Sequence, residues 1–151
     1  MKTDGGPDCQ LGVGVLIQLL GREPDPKEDA LAEVKGKKIR SILLDDDAND
    51  GDGALVFTFD TGAVLTVFDR GRSCCESRYM KCDDDLEKFF GSTLDEITIE
   101  CGDTMEGESD YCHEVEFLLV HTSRGIFTVN THNEHNGYYG GFWMVSNVTH
   151  P

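Results

Sequence analysis

Two short stretches concentrate the side chains of this chain that could bind a ligand or do chemistry. Residues 131–141 read Thr-His-Asn-Glu-His-Asn-Gly-Tyr-Tyr-Gly-Gly, and residues 69–79 read Asp-Arg-Gly-Arg-Ser-Cys-Cys-Glu-Ser-Arg-Tyr. Arginine guanidinium groups bind phosphate or carboxylate, tyrosine rings stack on flat ligands, and glycines let a ligand approach the backbone closely. Together the two stretches predict a partly enclosed pocket for a small polar ligand.

The chemistry of this predicted pocket suits a nucleotide-like molecule. Arginines would hold its phosphate, tyrosines would stack on its base, and Asn133 and Asn136 would read the base edge. The opposite interpretation is structural: Asn136-Gly137 is an ordinary turn, the tyrosines cover a sheet, and the arginines pair with surface acids. The predicted ligand-binding residues are Arg70, Arg72, Cys74, Cys75, Glu76, Arg78, Asn136, Gly137, Tyr138 and Tyr139.

The same stretches contain groups that bind metals or act as nucleophiles. Cys74, Cys75, His132 and His135 would supply the ligands of a tetrahedral zinc site, but adjacent cysteines rarely chelate one ion and the spacing is not that of a zinc finger. A cysteine nucleophile with a histidine base would need a lowered thiol pKa and a close approach of the two groups. We therefore predict a binding protein without a catalytic residue, metal or cofactor, and keep a small zinc- or thiol-dependent enzyme as the alternative.

The formal net charge of −16 over 151 residues narrows the choice of partners. It argues against direct binding to a nucleic-acid backbone, because such binding uses Lys and Arg to replace counterions. An acidic surface can instead occupy the groove of a basic protein, so the second functional hypothesis is an acidic inhibitor that mimics nucleic acid, with carboxylates gathered at 45–52 and 101–110. Solubility or adaptation to high salt would explain the same charge.

The six cysteines bear on whether the protein is in a reducing or an oxidising compartment. Residues 1–10 contain Lys2 but also Asp4 and Asp8, unlike the basic start of a secretory signal peptide. The apolar run 11–20 is too short to span a bilayer. A bridge between adjacent cysteines would be strained. We predict reduced thiols, a cytoplasmic location and no membrane partner.

Cap and turn signals divide the chain into elements. Asp25 and Pro26 suit the start of a helix that ends at Gly36, and Asp83–Asp85 would cap a second helix, 86–90, that ends at Gly91. The predicted strands are 38–44, a hairpin of 55–59 and 64–68, then 94–100, a second hairpin of 115–121 and 126–130, and a final strand 142–145.

The order of elements recurs, which predicts an internal repeat. Residues 31–42 align with residues 86–97, so that Gly36 matches Gly91, and each hairpin is followed by one of the two polar stretches. Convergence on a common pattern would give the same order without duplication. The predicted fold class is α+β: a mixed, mainly antiparallel sheet with two short helices on one face, built from two αβββ repeats. The predicted organisation is an N-terminal extension and linker (1–25), a single domain (26–146, with half-repeats 26–79 and 83–141) and a tail (147–151).

With both polar stretches identified, the chain resembles a family of short uncharacterised proteins of bacteriophages and bacteria. The resemblance rests on Asp69-Arg70, on 74–77 (Cys-Cys-Glu-Ser) and on 136–139 (Asn-Gly-Tyr-Tyr), and it covers roughly 31–145. It implies a phage accessory protein that acts in the host cytoplasm against host defence. Its partner would be a host protein or a nucleotide-like small molecule. Because the segment with His132 and His135 differs within this family, the resemblance shifts weight from the histidines to residues 136–139.

Overall fold

The computed structural model describes residues 21–22, 29–71, 76–106, 112–135 and 141–151. Over these ranges the backbone consists mostly of strands joined by tight turns. The strands are β1 (Gly21–Arg22), β2 (Ile39–Asp45), β3 (Ala54–Phe59), β4 (Val64–Asp69), β5 (Ser77–Lys81), β6 (Leu94–Glu106), β7 (Cys112–Thr122), β8 (Gly125–His135) and β9 (Met144–Thr149).

These strands form two sheets around one hydrophobic core. The first sheet has the order β1-β9-β4-β3-β2, and the second has the order β5-β8-β7-β6. Among the described strands, β1 and β9 pair in parallel and every other pair is antiparallel. The sheets meet through buried rings, with the centroids of Phe57 and Phe127 6.4 Å apart. Both predicted hairpins are confirmed, but they lie in different sheets, so the prediction of a single mixed sheet is wrong.

The two predicted helices are single 3₁₀ turns, so the α+β prediction is wrong as well. The turns are Ala30–Glu33 and Leu86–Phe89. Each begins at an aspartate, Asp29 or Asp85, whose carboxylate accepts a backbone N–H bond. A glycine at positive φ follows each turn, which leaves a segment far shorter than a stable α-helix needs. The predicted cap at Asp25 lies outside the described residues.

No α-helix occurs in the part of the chain that the structure describes. Within that part, no helix has the length and apolar character needed to cross a membrane.

Reciprocal backbone hydrogen bonds join the segments that follow the two 3₁₀ turns. The N–H of Gly36 donates to Leu94 O, and the N–H of Gly91 donates to Ile39 O, each at 2.7 Å. These are the positions that the predicted repeat aligns, since Gly36 matches Gly91 and Ile39 matches Leu94. Both glycines have positive φ, +78° and +92°, a conformation that suits a residue without a Cβ. The exchange relates the two segments by an approximate twofold axis, while duplication of the chain stays a prediction.

Several strands run farther than the sequence patterns indicate. β6 reaches Glu106 and β7 begins at Cys112, where an acidic loop is predicted for 101–111. β8 continues to His135 through residues predicted as a loop, and β9 continues to Thr149 inside the predicted tail. Pairing with a neighbouring strand supplies hydrogen-bond partners for the backbone N–H and C=O groups of these polar residues. Their side chains therefore alternate between the two faces of a sheet.

Candidate functional site

Two rows of polar side chains cross the inner face of the second sheet. The strand register places Arg78 of β5, Asn133 of β8 and Glu114 of β7 side by side in the first row. Thr131 and Glu116 are partners in the next row, and all five residues are buried. The row after that is apolar and belongs to the core. We call this end of the interior the polar end; it comprises Asp69, Glu76, Arg78, Glu114, Glu116, Thr131, Asn133 and His135.

Arg78 is the centre of the hydrogen bonding in the polar end. Its Nε and Nη2 donate to the two carboxylate oxygens of Glu76, each at 3.0 Å. Its Nη1 donates to Asp69 Oδ2 at 2.5 Å and to Gly141 O at 3.0 Å. Burial lowers the pKa of Arg78, but the negative charges of Asp69 and Glu76 outweigh burial, so the pKa is raised. The guanidinium therefore stays charged, and four of its five N–H donors bond to groups of the protein itself.

Asp69 links the first sheet to this arrangement. Its Oδ1 accepts the N–H of Gly71 at 2.9 Å and the N–H of Trp143 at 3.0 Å. A Cβ at position 71 would lie 3.2 Å from both Asp69 Oδ1 and Arg78 Nη1, so glycine leaves the room that this contact needs. The buried carboxylate of Asp69 therefore contacts three parts of the chain: the end of β4, the residue before β9 and the start of β5.

The peptide group of Gly141 is held from both sides. Its N–H donates to Glu114 Oε1 at 2.6 Å, and its carbonyl accepts bonds from Arg78 and from Asn133 Nδ2, the latter at 3.3 Å. His135 Nε2 lies 3.1 Å from the same Glu114 oxygen. Glu114 thus fixes both Gly141 and His135, at the two ends of the segment 136–140.

Beside these satisfied groups, four buried polar atoms of the described residues have no hydrogen-bond partner. They are both carboxyl oxygens of Glu116, Oγ1 of Thr131 and Oδ1 of Asn133. Glu116 is opposite Thr131 in the register, and Asn133 is two residues farther along the same face of β8. An unpaired buried polar group costs about 1–3 kcal/mol, and such groups are uncommon in native proteins. Four of them at neighbouring positions distinguish this part of the described interior from the satisfied groups around it.

Glu116 is neutral at physiological pH. Its burial, together with the negative charges of Asp69 and Glu114, raises the pKa of Glu116 to about 9. A protonated carboxyl group has one O–H donor and one carbonyl acceptor. The unpaired groups therefore offer both donors and acceptors to a ligand.

Three of the predicted ligand-binding residues are placed by the structure. Glu76 and Arg78 lie in the polar end and pair with each other, and both side chains are almost fully buried. Arg70 is exposed, and its guanidinium carbon lies 5.2 Å from the ring centroid of Trp143. The remaining predicted residues lie outside the described part of the chain: Arg72, Cys74, Cys75, Asn136, Gly137, Tyr138 and Tyr139.

The described ends of the two polar stretches come together. The N–H of Arg70 donates to Trp143 O at 2.8 Å, two residues after Gly141. Arg78, two residues after Glu76, donates to Gly141 O. The described residues that flank 72–75 and 136–140 therefore lie beside the polar end.

The two histidines of the second stretch lie on opposite faces of β8. They are three residues apart, and an odd separation in a strand reverses the face. His135 points inward to Glu114, whereas the ring of His132 stacks on Tyr79 at the outer face, 4.6 Å between centroids. The structure thus does not bring these histidines to one metal site. In the described residues, no three His, Cys, Asp or Glu side chains are arranged to hold a metal ion.

One cysteine departs from the expectation of reduced thiols. Cys101 is disulfide-bonded, whereas Cys82 and Cys112 are not part of a disulfide. The prediction of six reduced thiols is therefore wrong at Cys101. Burial raises the pKa of the Cys82 thiol, which suits an unreactive side chain.

Glu114 and Glu116 are the site residues that the sequence patterns miss. Val115 and Phe117 alternate with them, so the local pattern predicts that the glutamates face outward. The structure inverts this prediction because Leu118, farther along β7, is fully buried and sets the face of the whole strand. The sequence does contain a signal for this orientation. Both glutamates lie an even number of residues from Leu118, so in a strand their side chains share its face.

Comparison with known proteins gives a family without an assigned role. A family model described as a domain of unknown function (DUF7448) matches residues 32–145, close to the extent of the resemblance noted from the sequence. Searches of curated proteins and of solved structures found no match. Because the matched span includes the whole polar end and most of both sheets, the chain belongs to the DUF7448 family.

Proposed function

We propose that this chain is a non-enzymatic binding protein that takes up part of a small molecule in the polar end. The observation that carries the proposal is the set of four unpaired, buried polar atoms on Glu116, Thr131 and Asn133. The groups next to these atoms are bonded to one another: Arg78 pairs with Asp69 and Glu76, and Asn133 Nδ2 donates to Gly141 O, which favours a preorganised site. Because Glu116 is fully buried, a ligand reaches it only when neighbouring segments move aside.

The unpaired groups define the chemistry of the bound part. The Oδ1 of Asn133 is an acceptor, and the groups of Glu116 and Thr131 each donate and accept. An amide or the edge of a nucleobase carries N–H donors and carbonyl acceptors in a similar alternation. This supports the predicted nucleotide-like ligand, with its base as the part that enters.

The charges of the polar end oppose the entry of a phosphate group. The acidic side chains of Asp69, Glu76 and Glu114 lie here, and Arg78 already donates four hydrogen bonds to protein groups. A buried anion placed beside these carboxylates would be repelled. We therefore infer that a neutral or cationic group enters and that any phosphate stays nearer the exposed side chains.

The biological role that we propose is sequestration. The resemblance to short phage and bacterial proteins supports an accessory protein that withdraws a nucleotide-like molecule from a host defence pathway. A binding protein needs no reactive group, and the polar end consists of groups suited to recognition. The proposed cytoplasmic location rests on the resemblance alone, because the disulfide at Cys101 removes the argument from reduced thiols.

A ligand panel combined with two substitutions tests this function. The unfolding midpoint would be measured with nucleobases, nucleosides, nucleotides and cyclic dinucleotides. We expect at least one compound with a base to raise it, since a ligand that binds only the folded state stabilises it. Thr131→Val and Glu116→Met should remove that rise because each deletes polar partners of the ligand. Arg40→Met, on the surface, is the matched control and should retain it. No response across the panel, or an equal response in all variants, would contradict the proposal.

A further inference from the structure

The strand β2 forms one edge of the first sheet. The order of the described strands in that sheet ends at β2, which pairs with β3 along one side. At the start of the other side, the N–H of Ile39 donates to Ser92 O and its carbonyl accepts the N–H of Gly91, each at 2.7 Å. Residues 40–45 continue the strand beyond this contact. An edge strand presents N–H and C=O groups with which a further strand can pair.

The exposed side chains of this edge have an apolar centre between unlike charges. Leu43 is 56% exposed and lies opposite Val56 of β3, on the outer face of the sheet. Arg40 is exposed three residues before Leu43, and Asp46 is exposed three residues after it. Charged side chains at the centre of an edge commonly prevent pairing with another strand, whereas a leucine there favours it.

We propose that β2 pairs antiparallel with β2 of a second copy of this chain, about a twofold axis at Leu43. In such a self-complementary contact, residues equally far before and after the axis meet. The leucines at position 43 would then lie opposite each other, and Arg40 of each copy would lie opposite Asp46 of the other. This surface goes beyond the proposed ligand site and does not depend on it, because β2 contributes no residue to the polar end.

The charges favour this direction and this register. Parallel pairing in register would place Arg40 beside Arg40 and Asp46 beside Asp46, and like charges opposite each other destabilise a pair of strands. An antiparallel shift by two residues would place Arg40 opposite Leu44 or Ala48 and would separate the leucines. Within one copy, Arg40 contacts Asp60 at the surface with 3.8 Å between Nε and Oδ1, an exposed contact weak enough to be exchanged for one with Asp46.

The size and the total charge of the interface predict a weak dimer. A single strand of seven residues gives a smaller interface than those of permanent dimers. Each copy has a formal net charge of −16, so the two copies repel each other until salt screens the charges. We therefore expect a monomer in dilute solution and a dimer at high protein concentration in physiological salt.

Sedimentation equilibrium of the whole chain, at protein concentrations up to about 1 mM, tests the pairing. The mass should rise from monomer to dimer and no further, because a twofold contact is closed. Leu43→Lys places two cations at the axis and should weaken the dimer at least about 5-fold. Ile126→Lys is the matched control, because Ile126 is 52% exposed on β8 of the other sheet. A monomer at every concentration would leave the edge to a different partner and overturn the proposal, as would equal affinities of Leu43→Lys and wild type.

Reversal of the charges tests the register. Arg40→Asp and Asp46→Arg each place like charges opposite each other across the axis, and each should weaken the dimer. The double variant restores unlike pairs and should recover most of the lost affinity. Its net charge is the wild-type value of −16, so the recovery would not come from the total charge. Single variants that dimerise like wild type, or a double variant as weak as the single ones, would overturn the proposed pairing.

Discussion

Arg78 of β5 and Asp69 of β4 form an ion pair that joins the two sheets, with 2.5 Å between Nη1 and Oδ2. Their side chains are 2% and 3% exposed, so water does not screen the charges. The same guanidinium holds Glu76 and the carbonyl of Gly141. This single cation therefore organises the polar end and the ends of both polar stretches.

Removing the cation should strongly destabilise the fold. Arg78→Met leaves the carboxylates of Asp69 and Glu76 buried without their partner. We expect the free energy of unfolding to fall by about 3–5 kcal/mol, as when one member of a buried ion pair is deleted. Urea denaturation measures the change. Arg40→Met, which removes an exposed pair with Asp60, should cost less than about 1 kcal/mol. Equal costs for the two substitutions would contradict the role given to Arg78.

Glu116 should make the protein less stable as the pH rises. The pKa of its carboxyl is about 9 in the folded chain and about 4.3 in an unfolded chain, so the folded state binds the proton more tightly. The stability that this proton contributes is fully present below the unfolded-state pKa of about 4.3. It is lost as the pH rises towards the folded-state pKa of about 9. The loss is at most about 1.4 kcal/mol per pH unit.

Glu116→Gln isolates this contribution. Glutamine resembles the neutral acid but does not titrate, so the variant should lose the slope between pH 5 and 9, roughly the window between the two pKa values. Glu87→Gln, at an exposed glutamate, should keep the wild-type slope. Denaturation midpoints across this range give the comparison. Parallel curves for wild type and Glu116→Gln would show that Glu116 is not protonated in the folded protein.

Replacing Glu116 by an apolar residue should stabilise the protein without ligand. Glu116→Met removes two unpaired buried oxygens at similar volume, and we expect a gain of about 1–3 kcal/mol. Glu114→Met, two residues away on the same face, should cost about 1–3 kcal/mol because Gly141 and His135 lose their acceptor. Denaturation at neutral pH distinguishes the two signs. A loss of stability in Glu116→Met would mean that its carboxyl group has a structural partner.

Gly36 and Gly91, whose N–H groups make the reciprocal hydrogen bonds, should both be costly to replace by alanine. Gly36→Ala and Gly91→Ala each force a side chain into a positive φ, at a cost of about 1–2 kcal/mol. A Cβ at Gly36 would have no atom within 4 Å, so its cost would come from the backbone alone. Ala63→Gly, where no positive φ occurs, is the control for glycine content. An Ala variant as stable as wild type would show that its turn can relax.

Part of this arrangement could be predicted from the sequence. Both hairpins follow from alternating apolar residues, and the alignment of Gly36 with Gly91 anticipates their reciprocal hydrogen bonds. The cap at Asp85 lies within the predicted 83–85, whereas the cap at Asp29 was not predicted, and a cap does not specify helix length. The glycine that follows each cap ends the segment after one turn.

The candidate site was harder to predict because its residues contradict local patterns. Thr131 to His135 are all polar, so no hydrophobic alternation marks them as a strand. The inward direction of Glu116 follows from that of Leu118, and its burial depends on tertiary packing that the local pattern does not show. Arg78 was predicted to contact a ligand, but the sequence does not show that Asp69, nine residues earlier, would occupy it.

A crystal structure of the protein with the most stabilising base-containing compound of the panel tests the central claim most directly. We predict that the amide-like edge of the base lies within hydrogen-bond distance of the Glu116 carboxyl, Thr131 Oγ1 and Asn133 Oδ1. A compound bound elsewhere, with only ordered water at these four atoms, would contradict the assignment of the polar end as the ligand site.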